Sequence, residues 1–165
     1  MNPAVRHELG EYIGFIDLHR QDVIAARTAW DVIRPNIDDV LTYFYSSQIM
    51  KQTERQFPQF DIPTLIRKQT AHWDMLFSGG LDEEYVNRIK RIGLAHRRLD
   101  ISLPYYIISY GIFLNEFERI LRFHHHDGNK VLDLMSGLRK FILLDLAIAC
   151  STDNVQMTDQ PEQKV

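Results

Sequence analysis

The sequence has very little cysteine: Cys150 is the one thiol among 165 residues. A single cysteine excludes an internal disulfide and any zinc site built from several thiolates. The N-terminal segment has no apolar core of the kind a secretory signal needs, so we expect a protein of the reducing cytoplasm. Long apolar runs are also missing. The longest, Phe141 to Cys150, is interrupted by Asp145 and falls well short of the roughly 20 residues of a membrane helix.

An excess of positive charge is absent as well. With 19 Lys and Arg against 22 Asp and Glu, the net charge is −3, which argues against a general nucleic-acid binder. No glycine-rich dinucleotide fingerprint is present, so any reductase acting with this chain would be a separate protein. What remains is an ordinary globular composition, 45% hydrophobic and 25% charged, in a length that fits one domain.

Glycine and proline are sparse, 8 and 6 residues, and they lie between segments of helical periodicity. No stretch alternates as a strand would, so the sequence predicts an all-α fold. The predicted helices are 3–10, 18–33, a third from 36 or 38 to 50, 61–77, 82–99, 104–125 and 130–151, with a loop at 51–60 and a turn at 127–129. Six or seven helices of mixed length favour globin-like packing over a four-helix bundle.

One histidine lies in the apolar face of its predicted helix. That face consists of Tyr85, Ile89, Ile92, His96 and Leu99, at spacings of 4, 3, 4 and 3. His96 therefore points inward, which leaves two interpretations. It is a core histidine bonded to a backbone carbonyl, or it is a metal or heme ligand, since neutral imidazole is the commonest such ligand and one His often suffices for heme. A zinc site needs three or four ligands, which we cannot assemble around it.

The preceding helices supply an opposite wall. Leu65, Lys68, His72 and Met75 (or Leu76) follow at helical spacing, and Phe44 and Tyr45 come from the helix before. Together with the helix of His96 they form a mostly apolar slot with a few polar groups, which suits a heme. His72 is a weaker candidate ligand on the same periodicity.

The stretch HWDMLFSGGLDEEYVNRIKRIGLAH, followed by LPYYIISYGIF, resembles the globin domain of globin-coupled sensors, the protoglobin-like branch. The shared features are a His-Trp pair, Leu-Phe-x-Gly, an Asp and a Tyr, Ile-Gly-x-x-His, and a Tyr-Ile motif in the next helix. The resemblance covers about Gly14 to Asn154. The sequence departs from the family pattern at three places. Tyr105 stands where a Trp is usual, and Lys68 stands where a small hydroxyl residue is frequent. After the histidine, Leu99-Asp100-Ile101 replaces the Ile-Gly-Leu that the family often has.

The resemblance implies a globin-like helical sandwich around heme b, with an extra N-terminal helix. In that family His96 would be the proximal iron ligand and Tyr45 the distal donor to bound oxygen. Leu65 and Lys68 would also face the gas. Phe44 and Tyr106 would also lie beside the cofactor in that family. Ile92 shares the apolar face of His96 and is a further candidate contact, and Arg97 either pairs with a heme propionate or belongs to a solvated face.

Lys68 has three possible placements, because an unpaired ammonium cannot be buried without a large cost. Its stem packs on the heme edge while the charge reaches solvent or a propionate. Alternatively, the neutral amine ligates ferric iron. In the third arrangement, a small helix rotation turns Lys68 to solvent and brings Gln69 or a neighbour inward.

The resemblance further implies a sensor of oxygen, or of NO or CO, and not an enzyme. Residues 1–153 would form the sensor globin domain, and 154–165 a polar tail or the start of a linker to an output domain. We expect a homodimer through the last two long helices, with Leu114 and Leu138 as outward sites. No nucleic-acid or membrane partner is expected. The alternatives are a heme enzyme, such as an NO dioxygenase or peroxidase-like globin, and a heme-free helical adaptor with a structural His96.

Overall fold

The computed structural model describes residues 2–46 and 61–151, and every regular element in these two ranges is helical. The α-helices are α1 Pro3–Phe15, α2 Arg20–Ile33, α3 Ile37–Tyr45, α4 Ile62–Ser78, α5 Glu83–Arg98, α6 Leu103–His124 and α7 Gly128–Ser151, with a 3₁₀ turn at Arg34–Asn36. The all-α prediction is confirmed. The predicted loop 51–60 and the polar tail 154–165 lie outside the described residues.

Most helix ends follow from local chemistry. Pro35 has no N–H and restricts the residue before it, and α2 ends at Ile33 as predicted. Asp82 caps α5, because its Oδ1 accepts the Tyr85 N–H at 2.9 Å. Pro63 lies in the first turn of α4, where its missing N–H costs nothing.

Two predicted ends were wrong. We expected the first helix to end at Gly10, but it runs on to Phe15 and ends before Asp17, whose φ is 55°. The predicted turn at 127–129 is already the start of α7. There Asp127 Oδ1 accepts the Asn129 N–H at 2.9 Å, which gives the helix an N-terminal cap.

The core is arranged around α7. This helix packs most extensively on α2, and further on α5 and α6. Both α4 and α5 pack on α7, yet within the described residues they make few contacts with each other. The fold therefore keeps these two neighbours in sequence apart, and it is between them that the sequence places its slot.

The crossing of α2 and α7 depends on Gly137. A Cβ at this position would collide with the Asp22 carbonyl and lie 2.9 Å from Ala25 Cβ and 3.0 Å from Ala26 N. The absence of a side chain thus lets the two helix backbones approach closely.

We expect Gly137→Ala to lower the free energy of unfolding by about 1–3 kcal/mol, the usual cost of overpacking a rigid contact. Gly111→Ala is the matched control, because Gly111 is also helical but has open space around it. It should be neutral or stabilise by roughly 0.5–1 kcal/mol, since glycine disfavours helix interiors. Urea unfolding measures both. Equal stability of Gly137→Ala and wild type would contradict this view of the crossing.

Several large apolar side chains of the last two long helices remain exposed in the single chain. They are Leu103, Tyr105, Ile107, Ile108 and Phe123 on α6, and Leu132 and Leu143 on α7. Leu138 was wrongly expected to face outward: it is fully buried within the chain, so a charge there would damage the core. None of the described helices is both long and apolar enough to span a bilayer.

Candidate functional site

His96 lies near the C-terminal end of α5 and is held by its own helix. Its Nδ1 lies 2.9 Å from the carbonyl oxygen of Ile92. A carbonyl oxygen only accepts, so the hydrogen is on Nδ1 and the lone pair of the neutral ring is on Nε2. Burial lowers the pKa of His96, against the hydrogen bond to Ile92, which raises it. The imidazole is therefore kept neutral, in the tautomer that binds a metal through Nε2.

A second contact restrains the same ring from the side. The ring of Tyr106, at the start of α6, lies with its centroid 4.5 Å from that of His96, at an interplanar angle of 48°. Both interpretations of His96 made from the sequence remain compatible with this environment. The carbonyl bond satisfies one nitrogen only, and the other nitrogen is still available to a ligand.

Tyr45 ends α3 and faces α4. Its hydroxyl donates to Gln69 Oε1 at 2.7 Å. Burial raises the pKa of Tyr45 to about 12, so the phenol keeps its hydrogen and remains a donor at neutral pH. Phe44 packs beside it, with its ring centroid 5.2 Å from that of Tyr45 and 4.7 Å from that of Phe113. One polar group is thus presented in aromatic surroundings.

The inward face of α4 is shifted by one residue from the one we favoured. Lys68 is exposed, and the half-buried Gln69 takes the position beside Tyr45. The side of α4 that carries Gln69 also carries the half-buried Leu65 and the buried His72 and Leu76. The exposure of Lys68 disfavours a buried amine on iron, and the choice between a stem on the heme edge and a side chain in solvent stays a prediction. The physical reason is desolvation: an amide can be satisfied by a phenol, whereas a buried ammonium would need a counter-charge.

The remaining predicted contacts lie on the expected elements. Leu65 and Ile92 are partly buried, on α4 and α5 respectively. Arg97 follows His96 at the end of α5 and is partly buried too. Their roles toward a cofactor stay predictions.

A buried polar cluster that was not predicted from the sequence surrounds Asp145. Asp145 of α7 is fully buried, and its Oδ1 accepts the Tyr85 hydroxyl at 2.7 Å while Oδ2 accepts the Tyr110 hydroxyl at 2.8 Å. His72 Nε2 lies 3.1 Å from Oδ2, and the Tyr106 and Tyr110 hydroxyls are 3.0 Å apart. The signal was available: a lone carboxylate in the apolar run 141–150 must have buried partners.

This cluster also holds His72 through one of its two ring nitrogens. Its Nε2 is bonded to Asp145, and its buried Nδ1 has no partner within the parts of the chain that the structure describes. The predicted minor role of His72 as an iron ligand therefore competes with a hydrogen bond already made.

The residues present fit a heme. His96 offers one unprotonated nitrogen on a partly buried, neutral ring. Tyr45 and Gln69 lie on α3 and α4, and α4 and α5 both pack on α7 while making few contacts with each other within the described residues. Because one histidine is enough to hold heme iron, His96 would be the residue that holds the group here.

Comparison with known proteins identifies the fold and the family. The structure matches the globin domain of a Geobacter sulfurreducens globin-coupled sensor with a TM-score of 0.73 and 14% identity, over 87% of this chain and 96% of that one. The fold is thus globin-like, as predicted. The Protoglobin family model matches residues 6–152, and the chain belongs to the Protoglobin family. A search of curated proteins finds no significant match.

Proposed function

We propose that this chain is a heme-based gas sensor domain that binds oxygen at an iron held by His96. The observation that carries the proposal is the state of that histidine: partly buried, neutral, and bonded through Nδ1 to Ile92, so that Nε2 is the ring nitrogen left to bind. The carbonyl bond also restrains the ring at Nδ1, as hydrogen-bonded partners do for metal-bound histidines.

The cofactor in this proposal is heme b, held without a covalent link. Covalent attachment of a c-type heme uses a Cys-x-x-Cys-His motif, which one cysteine cannot form. When bound, the ferrous iron supplies the site at which a diatomic gas attaches. The chain supplies one ligand, an aromatic and aliphatic lining and a polar group on the other side.

Tyr45 is the group that would discriminate between gases. Its hydroxyl keeps its one hydrogen, which in the structure is donated to Gln69, so donation to bound oxygen requires this hydrogen to turn from the amide to the gas. Bound oxygen carries partial negative charge, and a hydrogen bond to a charged acceptor is roughly twice as strong as a neutral one. Bound CO carries less charge, so Tyr45 would favour oxygen.

Absorption spectra of the ferric, ferrous and oxygen-bound protein test the proposal. We expect a Soret band, a shift on reduction, and a further reversible shift under oxygen. The pigment should be extracted intact by acidified organic solvent, as heme b is and c-type heme is not. If protein expressed with ample heme shows no Soret band, the heme proposal is wrong and the heme-free adaptor is the remaining alternative. Sustained NO oxidation with a separate reductase, without a gas-dependent response of a partner, would favour the enzyme.

In the sensor interpretation, the domain acts in the cytoplasm as a homodimer and passes its state to an output domain or partner. The support is the set of exposed apolar side chains on α6 and α7, which the single chain leaves uncovered. A symmetric dimer is the commonest way to bury such a face.

We expect Leu143→Glu to convert dimers to monomers, because Leu143 is 47% exposed on α7 and a charge would be desolvated at the interface. Ile24→Glu is the control: Ile24 is 58% exposed, but on α2. Sedimentation velocity should give a monomer for the first variant and the wild-type state for the second. A wild-type domain that remains monomeric at high concentration would exclude this dimer.

A further inference from the structure

The side chain of Asp145 has no exposed surface, although it lies in the longest apolar run of the sequence. Its carboxylate is hydrogen-bonded to side chains from three other helices: His72 of α4, Tyr85 of α5 and Tyr110 of α6. Such a group is costly to bury, and it destabilises the fold unless each of its oxygens is satisfied. An apolar side chain of similar size would be buried at a lower free-energy cost, which points to a role for Asp145 other than packing.

We propose that Asp145 is a positioning residue for the iron ligand, acting through Tyr110 and Tyr106 on the ring of His96. This inference rests on the proposed function, since it concerns how the histidine is presented to iron. It adds a hydrogen-bonded connection between the middle of α7 and the ligand on α5.

The direction of the chain follows from hydrogen counting. The Tyr110 hydroxyl has one hydrogen, which it donates to Asp145 at 2.8 Å. Its oxygen is then free to accept, so the 3.0 Å contact is a bond donated by Tyr106 to Tyr110. Burial, and then the charge of Asp145, raise the pKa of Tyr110, so that its hydrogen stays in place. The carboxylate thus orders two phenols in series.

The far end of this chain is the ring contact with the histidine. The Tyr106 ring lies 4.5 Å from His96, between centroids. The bond from His96 to Ile92 restrains one nitrogen and leaves the ring able to pivot about it. The face of Tyr106 limits that pivot. If Tyr106 loses its acceptor at Tyr110, this restraint loosens and Nε2 is presented over a wider range of angles.

Tyr85 provides a matched control within the same cluster. Its hydroxyl donates to Asp145 as that of Tyr110 does, 2.7 against 2.8 Å, and both side chains are buried. Tyr85 accepts no bond from Tyr106, however, and lies outside the path to His96. Removing either hydroxyl should weaken the cluster comparably, whereas only Tyr110→Phe interrupts the chain.

The test compares wild type, Tyr110→Phe and Tyr85→Phe in two states of the full chain. With heme, resonance Raman of the ferrous protein gives the iron–histidine stretching band. Without heme, NMR gives the exchange rate of the Tyr106 hydroxyl hydrogen, which is slow only while it is bonded and buried. We expect Tyr110→Phe to shift or split the band and to speed hydroxyl exchange. Tyr85→Phe should leave both unchanged while lowering Tm by a similar amount.

Three results would overturn the inference: an unshifted band in Tyr110→Phe, the same shift in both variants, or an unchanged Tyr106 exchange rate. The second would mean general loosening of the core. Wild-type protein that shows no iron–histidine band at all would instead refute the proposed function.

Discussion

Replacement of His96 by alanine is expected to abolish stable heme binding. Within the described residues, His96 is the one histidine whose Nδ1 is bonded to a carbonyl of its own helix with Nε2 left over. Outer partners of metal ligands are already worth about 10–100-fold in affinity, so loss of the ligand itself should cost more than roughly 100-fold. Absorbance after gel filtration with added hemin measures it, as loss of the Soret band at unchanged protein concentration.

Two controls test whether the loss of heme is specific to the missing ligand. His96→Gly leaves a space where the ring was, and added imidazole should enter it and restore a Soret band without restoring the link to α5. His72→Gln is the control for a generally disturbed core, because glutamine retains an N–H for Asp145. It should keep its heme. Circular dichroism confirms that each variant is folded, and a wild-type Soret spectrum in His96→Ala would refute the assignment.

Much of the helical framework could be predicted because its signals are local. The cap at Asp82 and the stop before Pro35 depend on residues within one turn of each other. The inward position of His96 depends on a face of five residues with helical spacing. The same reasoning failed at Gly10, because a single glycine in open space weakens a helix without ending it.

The register of α4 could not be settled by periodicity. Leu65 and His72 belong equally to a face that passes through Lys68 and to one that passes through Gln69, since both spacings are helical. Desolvation decides between them: the structure buries the amide against Tyr45 and leaves the ammonium exposed. Weighing the cost of burial ahead of the family pattern would have favoured Gln69 from the sequence.

The cluster at Asp145 could not be predicted in detail because its partners are distant in sequence. Tyr110 lies 35 residues away, Tyr85 60 and His72 73. A carboxylate in an apolar run predicts that buried hydrogen-bond partners exist, but which residues they are depends on how α4, α5 and α6 pack on α7. Leu138 illustrates the same point for apolar groups, since a helix that is apolar on several faces does not reveal which face the chain itself covers.

Replacement of Tyr45 by phenylalanine is expected to speed oxygen dissociation by about 10–100-fold. A hydrogen bond to a charged partner is worth roughly 1.5–3 kcal/mol, and about 1.4 kcal/mol is tenfold. The phenol is a reliable donor because burial raises the pKa of Tyr45 to about 12. CO dissociation should change less, because bound CO carries less charge. Laser photolysis and stopped-flow displacement measure the two rates.

Two further variants make this result specific. Tyr43→Phe removes a hydroxyl two residues earlier in α3, from a side chain that is 60% exposed, and should leave both dissociation rates unchanged. Gln69→Leu removes the partner that positions Tyr45 but leaves its hydroxyl in place. If oxygen dissociation rises in Gln69→Leu while Tyr45→Phe matches wild type, then the amide and not the phenol donates to bound oxygen. A rise in Tyr45→Phe that Tyr43→Phe does not share identifies Tyr45 as the donor that retains oxygen.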